Sequence, residues 1–194
     1  MTLCSSKGWG TMEDLAVIVD ASGSLLADAR AQVAEACLHI LLQAGIIERQ
    51  QIYRWQQDIT SWPEEAWGQT GWNAAFYGNC SLSALTDFAA KHSGRLLIIS
   101  DGYGFYDAES AEKRPLRRLK GRLELLLLEQ ERSFPEFKRL FEPESVHAPE
   151  EILVLVERLR SGEKQPLPVS IENISFFVAD ASEAEQEAEE DEWN

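Results

Sequence analysis

Bases are scarce in this 194-residue chain: 18 Lys and Arg stand against 33 Asp and Glu, a net charge of −15. A nucleic-acid binder needs a basic face to displace the counterions of phosphate, so that class is not expected. Cysteine is sparse as well. Cys4, Cys37 and Cys80 are odd in number and far apart, which reads as reduced thiols in the cytosol rather than a disulfide framework. The three histidines, His39, His92 and His147, share no zinc spacing with them. No apolar run approaches the roughly 20 residues of a membrane span. The opening "MTLCSSKGWG" lacks the basic and apolar regions of a signal peptide. A cytoplasmic protein without membrane contact is expected. Also missing are a P-loop, a dinucleotide fingerprint and a Ser–His–Asp set.

What is present fits a soluble domain. The apolar fraction is 44%, and the length suits one domain with a real core. The charge is uneven: residues 180–194 carry eight acids and no base, and removing those eight leaves −7 of the −15. Two regions follow, a single domain over 1–178 and an acidic tail over 179–194 that is too charged to pack. The tail reads as a solubilising segment, or as a partner-binding peptide anchored by Trp193.

"LAVIVDA" (15–21) is an unbroken apolar run of strand length, as a central parallel strand covered on both faces would be. From Ser24 the period changes to three and four residues through Leu25, Ala29, Val33, Cys37, Ile40 and Ala44, a helix closed by Gly45. "QIYRW" (51–55) alternates like a strand near the sheet edge. An irregular stretch rich in Trp and Gly follows, then a helix over "SLSALTDFAAKHSG" and a second apolar strand, "RLLIIS". "DAESAEKRPLRRLKG" predicts a polar, basic helix. "RLELLLLEQ" either continues it or forms a strand, and Gly121 with the leucine run favours the strand. "FPEFKRLF" predicts a short helix, "ESVHAP" a short extended piece, and "PEEILVLVERLRSG" a helix with Pro149 near its start and Gly162 after its end. "VSIENISFFVAD" supplies a last strand or hairpin. Strands alternating with helices predict an α/β fold, doubly wound, with a mainly parallel sheet flanked by helices.

Both apolar strands end in aspartate, "VIVD" at Asp20 and "LIISD" at Asp101. Ligands of such folds bind beyond the carboxyl ends of the strands. If the two strands are neighbours, Asp20 and Asp101 sit together with Ser22 and Ser24 as an all-oxygen set, which suits Mg²⁺ or Mn²⁺. Without a cation the carboxylates would repel each other.

"DASGS" (20–24), a small-residue loop "YGNCSLSAL" before the middle helix, and "ISDG" (99–102) resemble the von Willebrand factor A (vWA) family, over about Leu15 to Arg160. There these motifs form the metal-ion-dependent adhesion site. The resemblance implies Ser22 and Ser24 as direct ligands, Asp20 and Asp101 binding directly or through water, and a partner's Glu or Asp completing the shell. The family's second motif carries a threonine where this chain has Cys80, with Ser81 beside it. A neutral thiol is a poor Mg²⁺ ligand, so Ser81 substitutes, a water fills the gap, or the site is weakened. The metal set is thus Asp20, Ser22, Ser24, Ser81 and Asp101. The implied function is a non-enzymatic interaction module, a subunit or adaptor of a multi-protein system such as one with a MoxR-type AAA+ ATPase. The alternative is a metal-independent scaffold with a degenerate site.

Plainer roles stay open for the same residues. Ser22 or Ser24 suits the cap of the following helix, and Ser81 suits a cap as well as a ligand. Cys80 reads as a small filler. The tryptophans between Tyr53 and Tyr77 either pack an irregular segment onto the core or form a partner surface. The basic group from Lys113 to Arg122 is a solvated helix face or a receiver for an acidic segment. A haloacid dehalogenase-like phosphatase, which also ends its first strand in aspartate, is the lesser alternative. It needs a second aspartate where this chain has Ser22, which cannot act as acid and base near neutral pH.

Overall fold

The structure is a computed structural model that describes residues 14–67, 71–106, 110–119, 121–129 and 139–161. The chain divides into two units, Met1–Lys164 and Gln165–Asn194, and every described residue belongs to the first. The expected last strand and the acidic tail lie outside the described residues, as does most of the "FPEFKRLF" helix.

The apolar runs become the middle of a sheet. β1 (Leu15–Asp20), β4 (Arg95–Ser100) and β5 (Leu123–Leu127) are buried along almost their whole length. β2 (Ile52–Trp55) lies on the far side of β1, β6 (Val146–His147) on the far side of β5, and all these pairings are parallel. β3 (Ile59–Ser61) closes the β2 edge antiparallel, giving the order β3-β2-β1-β4-β5-β6. Unbroken hydrophobicity is what a strand covered on both faces requires. Alternate residues feed two cores accordingly. Val17, Val19, Leu97, Ile99 and Leu126 face α1 (Arg30–Gln43) and α5 (Ile152–Ser161). Ile18, Leu96, Ile98, Leu123 and Leu125 face α2 (Leu82–Lys91) and the segment bearing Phe105 and Leu116. That segment holds α3 (Tyr103–Tyr106) and α4 (Ser110–Arg117). The fold is the doubly wound α/β architecture expected, and the leucine run of β5 is a strand.

One local expectation needs correction, and two open ones are resolved. The helix does not run unbroken from Ser24. Gly23–Ala29 is 3₁₀ with a break inside it, where Ala27 is extended (φ −73°, ψ 148°) and Asp28 and Ala29 are left-handed (φ 51° and 58°). The apolar spacing continues across this break because Leu25 still has to be buried, which conceals it from the periodicity. The strand at 52–55 lies near the sheet edge as expected, second after β3, which is too short to stand out in the irregular stretch. Finally, the aromatics of that stretch are largely core. Trp55, Trp62, Trp72 and Phe76 are all buried, and Trp72 Nε1 donates to the Ala31 carbonyl at 2.7 Å. Tyr77 remains exposed.

Candidate metal centre

In this sheet β1 is followed in the chain by β2 on one side, and β4 pairs with it on the other. The gap between the carboxyl ends of β1 and β4 is therefore the switch point where open α/β sheets bind ligands. Val19 pairs with Ile99, so Asp20 stands level with Ser100 and Asp101 follows one residue on. Both carboxylates are buried, Asp20 at 0% and Asp101 at 2% exposure.

Hydrogen bonds link three of the five predicted ligands, and the fourth, Asp101, stands beside them. Ser22 N donates to Asp20 Oδ1 at 2.9 Å, the Ser22 and Ser24 hydroxyls are 2.9 Å apart, and Ser24 lies close enough to Asp101 to oppose the rise of its pKa. Ser22 is the N-cap residue of the 3₁₀ turn by position, but its side chain makes no capping hydrogen bond. The fifth residue, Ser81, is placed differently. Its Oγ accepts from Ala84 N at 3.4 Å, capping α2, and meets Ser83 Oγ at 2.8 Å. Cys80 stands at the site instead, with Sγ 2.9 Å from Asp20 Oδ1 and 3.0 Å from the Trp55 carbonyl. Burial, then the charge of Asp20, push the Cys80 thiol pKa far up.

Four further residues shape the site without having been singled out in the sequence. Ser100 Oγ donates to Asp20 Oδ2 at 2.6 Å and accepts from Gly102 N at 2.9 Å, fixing the Asp-Gly turn. Gly102 has φ 88°, which glycine adopts at no steric cost. Gln56, buried between the loops, donates through Nε2 to the carbonyls of Ala21, Ala75 and Tyr77 at 3.1, 3.4 and 2.8 Å. Two backbone bonds, Gly23 N to Gly78 O and Tyr77 N to Ala21 O, complete that clasp. Arg30, the first residue of α1, lies 3.5 Å from Asp101 Oδ2 and 2.5 Å from Glu129 Oε2. The adjacency of Ser100 to Asp101 was the one visible hint. Gln56, Arg30 and Glu129 have partners too distant in sequence for any local pattern to report.

The electrostatics leave one acceptor short. Tyr103 N serves Asp101 Oδ1 at 3.2 Å, whereas Asp101 Oδ2 is buried and takes no hydrogen bond, its contact with Arg30 being a long ion pair. Burial raises the Asp101 pKa, the nearby Asp20 charge raises it further, and Ser24, Tyr103 N and Arg30 only partly oppose this. A buried carboxylate oxygen without a hydrogen-bond donor, at the same edge as the paired Ser22 and Ser24 hydroxyls, fits a hard divalent cation. Among the described residues no three His, Cys, Asp or Glu side chains cluster as a metal site by themselves, so a cation here needs the serine hydroxyls. Also among the described residues, no helix is long and apolar enough to cross a membrane.

No family model matches the chain, and no curated protein matches it. It is similar in structure to a von Willebrand factor type A protein from Catenulispora acidiphila, with 13% identity, a TM-score of 0.44, and 76% of this chain and 41% of that one covered. It is similar to the conserved hypothetical protein BatB from Bacteroides thetaiotaomicron, with 11% identity, a TM-score of 0.39, and 59% and 65% covered. Proximal thread matrix protein 1 from the mussel byssus gives 12% identity, a TM-score of 0.47, and 75% and 46% covered. The chain spans less than two thirds of each of these proteins.

Proposed function

We propose that this chain is a vWA-type interaction module that grips a partner's carboxylate through a divalent cation held at the β1/β4 edge. One observation carries the reading: Asp20, Ser22 and Ser24 are linked at the end of β1, next to Asp101 at the end of β4, whose Oδ2 is buried and lacks a hydrogen bond. Ser22 and Ser24 are the direct ligands in this proposal, and Asp20 and Asp101 supply charge directly or through water. The cation belongs to the Mg²⁺/Mn²⁺ class that hard oxygen sets select. No step of this function is chemical, so the chain is proposed as a binding protein and not an enzyme. The finer proposal is a cytoplasmic subunit or adaptor, such as one serving a MoxR-type AAA+ ATPase.

Calorimetric titration of Mg²⁺ and Mn²⁺ into chelator-treated protein tests the metal, and a short peptide bearing one central glutamate tests the bridge. The expected result is one ion bound, lost in Asp20→Ala, with peptide binding only in its presence. Ion-free protein that binds the peptide equally well overturns the proposal.

A second reading, a metal-independent scaffold, is favoured by Arg30. Its guanidinium already lies beside Asp101 and provides part of the positive charge a cation would supply. Partner capture unaffected by chelator and by Asp20→Ala would establish it.

A further inference from the structure

On the β2 side of the carboxylate edge stands an arginine without a counter-ion. In the parallel register Val19 pairs with Arg54 and Asp20 with Trp55, so Arg54 lies one residue short of the carboxyl edge, on the strand beside β1. Its half-buried guanidinium is 5.8 Å from the centre of the Tyr77 ring. Among the described residues the Arg54 side chain has no hydrogen bond and no carboxylate within ion-pairing distance. In a chain with 33 acids to 18 bases, this is a cation left open to an anion. Tyr77 is 57% exposed, whereas its neighbour Phe76 is 3% exposed. Its N–H donates to the Ala21 carbonyl at 2.9 Å, which ties it to the loop that follows Asp20. Leu26 and Tyr103 are also exposed, on the other two loops of the same edge, and Tyr103 N donates to Asp101. Exposed tyrosine beside arginine is the pairing that protein contacts enrich and depend on.

We infer that Arg54, braced by Tyr77, is a second anion-binding point of this surface. The partner is an acidic segment with two carboxylates, one for the cation at the β1/β4 edge and one for Arg54. The inference rests on the metal-bridge reading and specifies its partner. Neighbouring strands lie about 4.8 Å apart and an extended chain advances about 3.3 Å per residue, so the two acids stand roughly two or three residues apart. The tyrosine ring holds the guanidinium by cation–π attraction and shields one side of it from water. A carboxylate arriving there forms charge-assisted hydrogen bonds in a partly dry setting, where they are stronger than on an open surface. Leu26, Tyr77 and Tyr103 supply apolar surface around the two points of charge.

The probes are synthetic extended peptides with one glutamate, or with a second glutamate two, three or six residues to either side, titrated calorimetrically into the full chain in Mg²⁺. A second glutamate at two or three residues should tighten binding about tenfold, the scale of a hydrogen bond to a charged group, and one at six residues should not. The gain is expected to vanish in Arg54→Gln while Mg²⁺ affinity is unchanged. In Arg54→Glu, a lysine at the second position should bind more tightly than a glutamate, a reversal that a merely structural arginine would not produce. Circular dichroism checks folding, and if Arg54→Glu does not fold, Arg54→Gln decides. Equal binding of one- and two-glutamate peptides by the wild type, or a gain that survives Arg54→Gln, overturns the role of Arg54. Mg²⁺-dependent binding of the single glutamate then leaves the metal bridge standing. A gain that needs Arg54 but persists in chelator removes the bridge and keeps the anion-binding point. Wild-type protein that binds none of the peptides in Mg²⁺ overturns both.

Discussion

The two ends of the sheet bury acidic side chains under opposite conditions. Near the amino ends of β4 and β5, Glu124 is 5% exposed and held by two arginines and a histidine: Arg95 Nη2 at 2.9 Å, Arg158 Nε at 3.3 Å and His147 Nε2 at 3.2 Å. Burial alone would raise its pKa, but the His147 hydrogen bond and the two arginines outweigh it and hold Glu124 below the ordinary glutamate value. At the carboxyl ends of β1 and β4, Asp101 meets one arginine, Arg30, in a 3.5 Å ion pair, and its pKa is displaced upward by burial and by the charge of Asp20. The first arrangement is a satisfied ionic cluster within the fold. The second is left short of positive charge, as sites shaped for a ligand are. Both lie within one sheet, so the contrast comes from the side chains provided and not from a difference in burial.

Removing Glu124 puts the contrast to its most severe test. Glu124→Gln leaves Arg158 buried without its counter-charge and weakens the His147 hydrogen bond, and a loss of about 3–5 kcal/mol is expected in denaturant unfolding. The pH dependence has a definite sign. A glutamate whose folded pKa lies below its ordinary 4.5 stabilises the fold above that pH, and the stabilisation is lost as pH falls through the folded value. The gap in stability between wild type and Glu124→Gln should therefore be full at about pH 6 and narrow steadily below about pH 4.5. A gap that stays constant down to about pH 3 contradicts the assignment.

Glu124 also shows where sequence reading stopped. It sits inside "LELLL", and the leucines on either side correctly mark a buried strand. Its partners are 23, 29 and 34 residues away, which no periodicity encodes. The same limit hid Gln56, Arg30 and Glu129. What was legible was local: two apolar runs, each ending in aspartate, and two serines at fixed spacing after the first. The 3₁₀ break was hidden for another reason. Its left-handed residues are Asp28 and Ala29 rather than glycine, so the usual turn signal is absent. Ser81 and Cys80 could be separated only by seeing which faces Asp20, because both are small polar residues at the mouth of α2.

The loop clasp comes next in size. Gln56→Leu removes a buried donor from three carbonyls, and a loss of about 2 kcal/mol is expected from the unsatisfied acceptors. Cation affinity should fall with it, because the loops of Ser22 and Cys80 are then held only by their backbone bonds. Wild-type stability in the variant would show the clasp to be incidental.

Asp101→Asn is expected to behave in the opposite sense to Glu124→Gln. It removes one of two neighbouring negative charges while leaving an acceptor for Tyr103 N. In chelator, unfolding should show a change of no more than about 1 kcal/mol, towards greater stability, as when a binding site is relieved of its like charges. Added Mg²⁺ should stabilise the wild type and not the variant, as binding to the native state alone requires. A variant as damaged as Glu124→Gln would make the two ends of the sheet equivalent and remove the basis for calling one of them a site.

Arg30 should matter least to stability, and it separates the two readings of the carboxylate edge. The guanidinium stands beside Asp101, Glu129 and Asp28, at the start of a helix whose preceding residues are left-handed. Two cations cannot both draw close to Asp101 without repelling each other. Arg30 therefore opposes the incoming ion and partly replaces it when the ion is absent. Arg30→Gln should raise Mg²⁺ affinity about fivefold, close to 1 kcal/mol of coupling, measured by calorimetry beside the wild type. It should also lower stability slightly in chelator, and that loss should vanish when the ion is supplied. If affinity instead falls, Arg30 assists the ion through Glu129 rather than competing with it. If affinity is unchanged while the loss of stability persists with ion present, Arg30 is a structural counter-ion, and the charge-poor end of the sheet is satisfied from within the chain like the other.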